Sequence, residues 1–323
     1  MLNDKTSSFK LISIVIPVRN EEANIEKIIR SILFQRPQDS ELELIVVDDN
    51  STDRTVEKAK NAGAKVLSLG NETKGGNPAI ARNKGAAISR GDPIIFLDGD
   101  CIPEIGWLDE LLSSHSKGAE VVGGSLALPS DISATARCDY YCGWYHVHPK
   151  RCGGIVDNHP PCNLSVQRAS FKNTQGFFEQ PPIAYSHEEL AWQAELKKSG
   201  GTIFFNPMAK VYHYNRPGLG NLLRRNYRWG YGAIESKADF QITRFSSIYR
   251  FPHLLLAMTL PLGILSALYV IVCWLKAAKM EILVMWPVVF AARMAYAVGM
   301  MVGGIRWLYH RDKHTVSRRP RWE

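Results

Sequence analysis

A doubly wound α/β sheet followed by a helical hairpin long enough to cross a bilayer is the architecture the sequence predicts, on three observations. Short β-branched apolar runs alternate with helix-period segments over the first hundred residues. Acidic residues close two of those runs, and charge and apolarity are divided unevenly along the chain.

Leu11–Pro17 is an apolar run rich in Ile and Val, the texture of a strand buried on both faces of a parallel sheet. Ile25, Ile28, Ile29, Ile32 and Leu33 then recur at helical spacing. The alternation continues as strand Glu43–Val47, helix Thr52–Ala62, strand Lys65–Ser68, helix Ala79–Ser89 and strand Pro93–Leu97. In such sheets ligands gather at the carboxyl ends of the strands. Asp48 and Asp49 end one strand, and Asp98 and Asp100 follow another.

The texture changes near Gly220. Arg224, Arg225 and Arg228 interleave with Leu222, Leu223, Tyr227, Trp229 and Tyr231, a pattern that suits a helix at a membrane interface. Phe251–Leu275 then runs 25 residues without Asp, Glu, Lys or Arg. As a helix it is about 37 Å long, enough for a hydrocarbon core of about 30 Å. Ile282–Ile305 is a second span, interrupted by Pro287 and by Arg293, which is expected to face protein or a polar lipid group. The expected divisions are an α/β domain over 1–215, interfacial helices over 216–250, two transmembrane helices over 251–305 and a basic tail over 306–323.

Charge follows the same division. Formal net charge is +8; residues 1–215 hold 23 Lys+Arg against 26 Asp+Glu, whereas 216–323 hold 16 against 5. Basic residues therefore bracket apolar spans instead of covering a soluble face, which argues against a nucleic-acid partner. The positive-inside bias puts the α/β domain and the tail in the cytosol, with Lys276 and Lys279 between the spans. The polar start, Met1–Lys10, and the short run Leu11–Val18 do not read as a secretory signal. Cys138, Cys142, Cys152 and Cys162, with His146 and His148 among them, have spacings unlike the common zinc fingers and are read as reduced thiols. The dinucleotide, P-loop and nucleophile-elbow fingerprints are absent.

The chemistry concentrates in Phe96-Leu97-Asp98-Gly99-Asp100. Two carboxylates one residue apart at a strand end, with Gly allowing the turn, can hold a hard divalent cation and leave positions open for phosphate oxygens. Asp48-Asp49-Asn50-Ser51-Thr52-Asp53 offers a second carboxylate pair, with Ser51 or Thr52 available to cap the next helix.

Ser13–Glu22, Val46–Asp53, Ala81-Arg82-Asn83-Lys84-Gly85-Ala86 and Phe96–Asp100, in that order and spacing, resemble family 2 glycosyltransferases of the GT-A fold over roughly residues 11–230. The resemblance implies a nucleotide-diphospho-sugar donor. It implies that Asp49 reads the base, that Pro17, Arg19 and Glu21 shape the nucleotide pocket, and that Arg82 lies near the nucleotide. Asp98 is then set against ribose or sugar, and Asp100 holds Mg²⁺ or Mn²⁺ on the diphosphate, with Asp98 and His213 as further metal residues. Asn163–Arg168 and Gly176–Glu179 are similar to the segment before the catalytic acid, and His187-Glu188-Glu189-Leu190 to the helix start that carries it. Glu189 stands where the family usually has Asp, and Glu188 is the second carboxylate. Arg225-Asn226-Tyr227-Arg228-Trp229 resembles the Q-x-x-R-W element of processive synthases, with Arg225 in place of Gln.

The expected activity is metal-dependent, inverting sugar transfer to a hydroxyl of a membrane-proximal or lipid-linked glycan. One alternative is a polyprenyl-phosphate glycosyltransferase; another is a noncatalytic membrane scaffold that keeps the nucleotide-binding fold. Asn50 and Asn163 begin N-x-[ST] sequons, expected to stay unmodified in the cytosol.

Overall fold

The computed structural model describes residues 9–73, 75–180, 183, 186–241 and 251–310. In chain order the elements are β1 (Leu11–Val18), α1 (Ile25–Phe34), β2 (Glu41–Asp48), α2 (Thr55–Asn61), β3 (Lys65–Ser68), α3 (Pro78–Ile88), β4 (Ile94–Leu97) and β5 (Cys101–Pro103). Then come α4 (Trp107–Ser116), β6 (Val121–Ala127), α5 (Ala134–Gly143), β7 (Gly154–Val156), β8 (Asn163–Val166), α6 (Arg168–Lys172), α7 (Leu190–Lys198) and β9 (Ile203–His213). Three long helices close the described chain: α8 (Leu219–Phe240), α9 (Pro252–Lys276) and α10 (Ile282–His310).

Among the described residues the strands form one nine-stranded mixed sheet in the order β3-β2-β1-β4-β8-β6-β9-β5, with β7 also on β9. The β3-β2-β1-β4 half is parallel, and β8 inserts antiparallel between β4 and β6. Alternation along β1 shows why the sheet is covered twice. Ile12, Ile14 and Ile16 pack with α1 and α4, whereas Val15 joins Val47 and the apolar residues of α3 and α7 on the other face. Both faces of the central strands therefore exclude water.

The helix expected from Thr52 begins at Thr55 instead. Residues 50–53 are laced to the β1–α1 loop: Asn20 N–H donates to Ser51 Oγ at 2.9 Å, and Thr52 N–H donates to Asn20 Oδ1 at 2.8 Å. Ser51 and Thr52 thus join two loops, and Asp53, one residue before the N-cap Arg54, accepts from Thr55 N–H at 3.0 Å.

Helices α9 and α10 contain two stretches, Leu256–Lys276 and Ile282–Tyr309, that are long and apolar enough to cross a membrane by length and composition. Arg293 turns inward, donating to Ser266 Oγ with its guanidinium 4.5 Å from the Tyr296 ring centre. Of the basic tail, Arg311, Lys313, Arg318, Arg319 and Arg321 lie outside the described residues, as do residues 242–250 of the interfacial segment.

Helix α8 does not offer its whole basic-aromatic surface to a membrane. Leu222 is buried in the main core, Arg225 pairs with buried Asp139 and Trp229 packs on Trp144, while Arg224 and Arg228 remain exposed. Its other side meets α10 through glycines. A Cβ built on Gly230 would overlap the carbonyl oxygen of Tyr296, and one on Gly299 or Gly303 that of Tyr227 or Tyr231. Gly299 and Gly303 are four residues apart, the small-residue spacing that lets helix backbones touch. Gly303→Leu is therefore expected to force α10 away from α8 and destabilise the chain by about 1–3 kcal/mol. Thermal unfolding in detergent tests this against Ala291→Leu on the exposed side of α10, for which no shift is expected.

Candidate active site

The Asp98-Gly99-Asp100 turn joins β4 to β5. Cys101 N–H donates to the Asp98 carbonyl at 3.0 Å and closes the turn. Gly99 has no room for a side chain, since a Cβ there would crowd Val18 and Glu21. The two carboxylates consequently diverge, each toward a different partner.

Asp98 faces Arg82 of α3, whose Nη2 donates to Asp98 Oδ1 at 2.6 Å while Nη1 donates to Glu188 Oε1 at 2.7 Å. Only 3% of the Arg82 side chain is exposed. Burial works to lower its pKa, but Asp98 and Glu188 outweigh that and hold the guanidinium charged. Arg82 thus ties the strand-end turn to the start of α7. Next to it, Glu189 is buried. Although it is the N-cap of α7, its side chain does not cap the helix. Burial, followed by the neighbouring Glu188 charge, pushes its carboxyl well above the usual range.

Asp100 faces β9. The register that places Cys101 opposite His213 brings His213 Nε2 to 3.6 Å from Asp100 Oδ1. His213 Nδ1 lies 3.0 Å from Asn215 Oδ1, and Asn215 Nδ2 donates to Asp139 Oδ2 at 3.1 Å. The Asn215 oxygen is placed to accept from Nδ1–H, which leaves Nε2 turned toward Asp100. Asp100, Cys101 and His213 offer ligand atoms within 4.8 Å of one another. Burial first, then the Cys162 contact and the Asp100 charge, raises the Cys101 thiol well above its ordinary pKa, and a soft sulfur ligand suits a hard cation poorly. Carboxylate and imidazole remain, a donor pair that fits Mn²⁺ with positions left for phosphate oxygens, while Mg²⁺ would rest on the carboxylate oxygens alone.

Glu21 lies on the other side of Asp100. Burial and then the Asp100 charge lift its pKa to about 7, against the opposing pull of Arg216, which pairs with it at 2.8 Å. Arg216 also reaches the Arg19 carbonyl at 3.4 Å. The arrangement places a guanidinium beside the carboxylates at the strand ends.

At the β2 end, Asp49 is buried and does not point freely into a cleft. Its oxygens accept from Thr73 Oγ1 and from the N–H groups of Gly76 and Asn77, fixing the loop before α3. Arg19 lies against Gly75 and Gly76 of that loop, and Pro17 stands in register with Val47 at the end of β1. The two sequon asparagines are structural. Asn50 donates to the carbonyls of Gly70 and Thr73, while Asn163, fully buried in β8, accepts from Trp107 Nε1 and donates to two carbonyls.

The sequence-predicted residues thus gather in three neighbouring groups. Arg82 joins Asp98 to Glu188 and Glu189; Glu21, Asp100 and His213 form the next group; Pro17, Arg19 and Asp49 frame the loop at 73–77. Sequence reasoning missed Arg216, Asn215, Asp139 and Cys101. Arg216 and Asn215 directly follow His213-Tyr214 and could have been found there; Asp139, in an ordinary helical stretch, gives no local signal.

Comparison with known proteins adds two family matches. The model of glycosyl transferase family 2 matches residues 13–164, and that of glycosyl transferase family group 2 matches residues 188–300. The glycosyltransferase AglE of Haloferax volcanii is 29% identical over 233 residues, which cover 71% of this chain and 75% of that protein. The pre-mycofactocin glycosyltransferase of Mycobacterium tuberculosis is 26% identical over 69% of this chain but 47% of its own length. The chain therefore spans three quarters of one relative and about half of the other. Glucosyl-3-phosphoglycerate synthase from Mycobacterium tuberculosis, solved with phosphoglyceric acid, has a TM-score of 0.51 and 21% identity over 74% of this chain and 83% of that one, a likeness of fold.

Proposed function

We propose, because this chain belongs to glycosyl transferase family 2, that it moves a sugar from a nucleotide-diphosphate donor to a hydroxyl of a membrane-proximal or lipid-linked glycan, inverting the anomeric carbon. The observation that carries this reading is the Arg82 bridge, which sets the carboxylates at the start of α7 beside the strand-end turn. A donor held at that turn then presents its sugar toward Glu189.

In this reading Asp49 acts through the loop it fixes, whose backbone with Pro17 and Arg19 forms the wall for the base. Arg216 and Glu21 flank the diphosphate, and Asp98 orients ribose or sugar. Asp100 would hold Mg²⁺ or, with His213, Mn²⁺, and Asp98 is close by; when bound, the cation neutralises charge on the leaving diphosphate. Glu189 accepts the acceptor hydroxyl's proton as that oxygen bonds to the anomeric carbon and the bond to the diphosphate breaks. One base opposite the departing group gives a single displacement and hence inversion. Arg82 and Glu188 keep the base positioned. The α/β domain works at the cytosolic face of the membrane.

Transfer to a polyprenyl phosphate, an acceptor that needs little help from a base, is the second reading; Arg151, which donates to the His146 carbonyl, and Lys237 and Arg293 are the charges that act on His146, whose pKa burial chiefly depresses to about 3.

The test is thermal shift of the purified chain with UDP or GDP and Mn²⁺. Wild type is expected to be stabilised only when nucleotide and metal are both present. Asp100→Asn should weaken metal-dependent nucleotide binding roughly tenfold or more. Equal shifts in the two proteins would remove Asp100 from the metal site. No response of wild type to either nucleotide would favour the noncatalytic scaffold.

A further inference from the structure

We propose that the α9–α10 hairpin lies within one leaflet, along the membrane plane, so that its turn and the catalytic sheet occupy the same side of the bilayer. The inference rests on the membrane association proposed above and replaces the spanning topology expected from hydropathy.

The hairpin turn is fastened to the α/β domain. Lys150 Nζ donates to the Ala277 carbonyl at 2.8 Å, and the Trp274 indole N–H donates to the Tyr141 carbonyl at 2.8 Å. Glu281 accepts from the Tyr141 hydroxyl and lies 3.6 Å from Arg137. Arg137, Tyr141 and Lys150 all precede β7, within the sheet-forming part of the chain. A spanning hairpin whose flanks are cytosolic must carry its turn across about 30 Å of hydrocarbon. Direct hydrogen bonds between turn and domain leave no room for that layer.

The opposite end is fastened as well. Pairings of Tyr227 with Gly299, Tyr231 with Gly303 and Glu235 with Arg306 show that α8 and α10 run side by side in the same direction. Helix α8 itself lies along the domain, from Gly218 N–H on Thr135 Oγ1 to Phe240, whose ring is 5.7 Å from that of Phe178. Helix α9 returns along α10, with Leu256 against Gly304 at one end and Tyr269 5.8 Å from Tyr145 near the other. A helix of 25 residues, about 37 Å long, is thus held to protein near both ends.

The outward side has the chemistry of a surface made for lipid. Leu254, Leu260, Leu265 and Leu268 of α9 and Val284 and Ile305 of α10 are exposed, while Arg293, the one charged residue in the middle of α10, is turned inward. An apolar arc of this length is larger than water tolerates on an isolated soluble chain. Exposed Arg224, Arg228 and Lys276 supply charge complementary to anionic headgroups. One leaflet fits both the arc and the basic residues.

Sidedness labelling of the full chain in a bacterial inner membrane tests the proposal. In a Cys152→Ser background, Met280→Cys reports the turn and Ile155→Cys the sheet; the native side chains are 61% and 74% exposed. A membrane-impermeant maleimide is expected to modify both in inverted vesicles and neither in intact spheroplasts, with Lys276→Cys behaving like Met280→Cys. Labelling of the turn and sheet reporters from opposite faces would establish a spanning hairpin and overturn the proposal. Recovery of the chain in the soluble fraction as a multimer would overturn it too, assigning the arc to a second copy. Sugar transfer is assayed separately: an active enzyme with split labelling loses only this seating, whereas same-side labelling of a chain without transferase activity loses only the proposed function.

Discussion

Glu189→Gln is expected to lower kcat by about 10²–10⁴ while leaving nucleotide binding near its wild-type value. The substitution keeps size and hydrogen-bonding capacity but removes the proton acceptor. It should be tolerated structurally, because the native carboxyl is already pushed toward its neutral form by burial and by Glu188. The same environment predicts the pH response. A raised pKa makes the ionised base scarcer at low pH, so kcat should rise as pH increases through a region above the ordinary carboxylate range. Gln at 189 should abolish that ascending limb. The measurements are kcat against pH for both proteins and nucleotide affinity by calorimetry. Turnover within a factor of a few of wild type would exclude Glu189 as the base, and transfer to a polyprenyl phosphate by the variant would support the second reading.

Features legible in the sequence are those set by short stretches of chain. The Ile and Val run of β1 and the helical recurrence of Ile25–Ile32 specify their elements locally, as does the apolar length of α9. The Asp-Gly-Asp turn is also a local signal. What the sequence could not supply is pairing over distance. Arg82 was readable only as a residue near the nucleotide, whereas its partners are Asp98, 16 residues away, and Glu188, 106 residues away. Asp139 acquires meaning only when α8 brings Arg225 against it and β9 brings Asn215. Asp49 was expected to face a base, but the folded loop occupies its carboxylate with three donors. Hydropathy likewise gives the length of α9 and not its direction, since tilt is set by packing. Trp274, Ala277 and Glu281 determine that packing here, through partners far upstream.

Removing Arg82 is expected to have the largest effect on the folded state. Arg82→Met fills similar volume with an apolar side chain and leaves Asp98 and Glu188 facing each other without a cation. Breaking a buried ion pair by deleting one partner destabilises by about 3–5 kcal/mol, because the remaining charge loses its compensation. Asp98 is partly exposed, with 27% of its side chain accessible, and can recover some hydration; Glu188 is buried and cannot. Most of the loss should therefore come from Glu188, and Arg82→Met combined with Glu188→Gln should recover a substantial part of it. Arg82→Lys should rescue poorly, since one ammonium cannot reproduce two divergent guanidinium bonds at 2.6 and 2.7 Å. Denaturant unfolding of the three variants measures these differences. A loss below about 1 kcal/mol for Arg82→Met, typical of exposed pairs, would mean that the bridge does not hold the turn and α7 together. Equal losses in the single and double variants would mean that Glu188 is not the group left uncompensated.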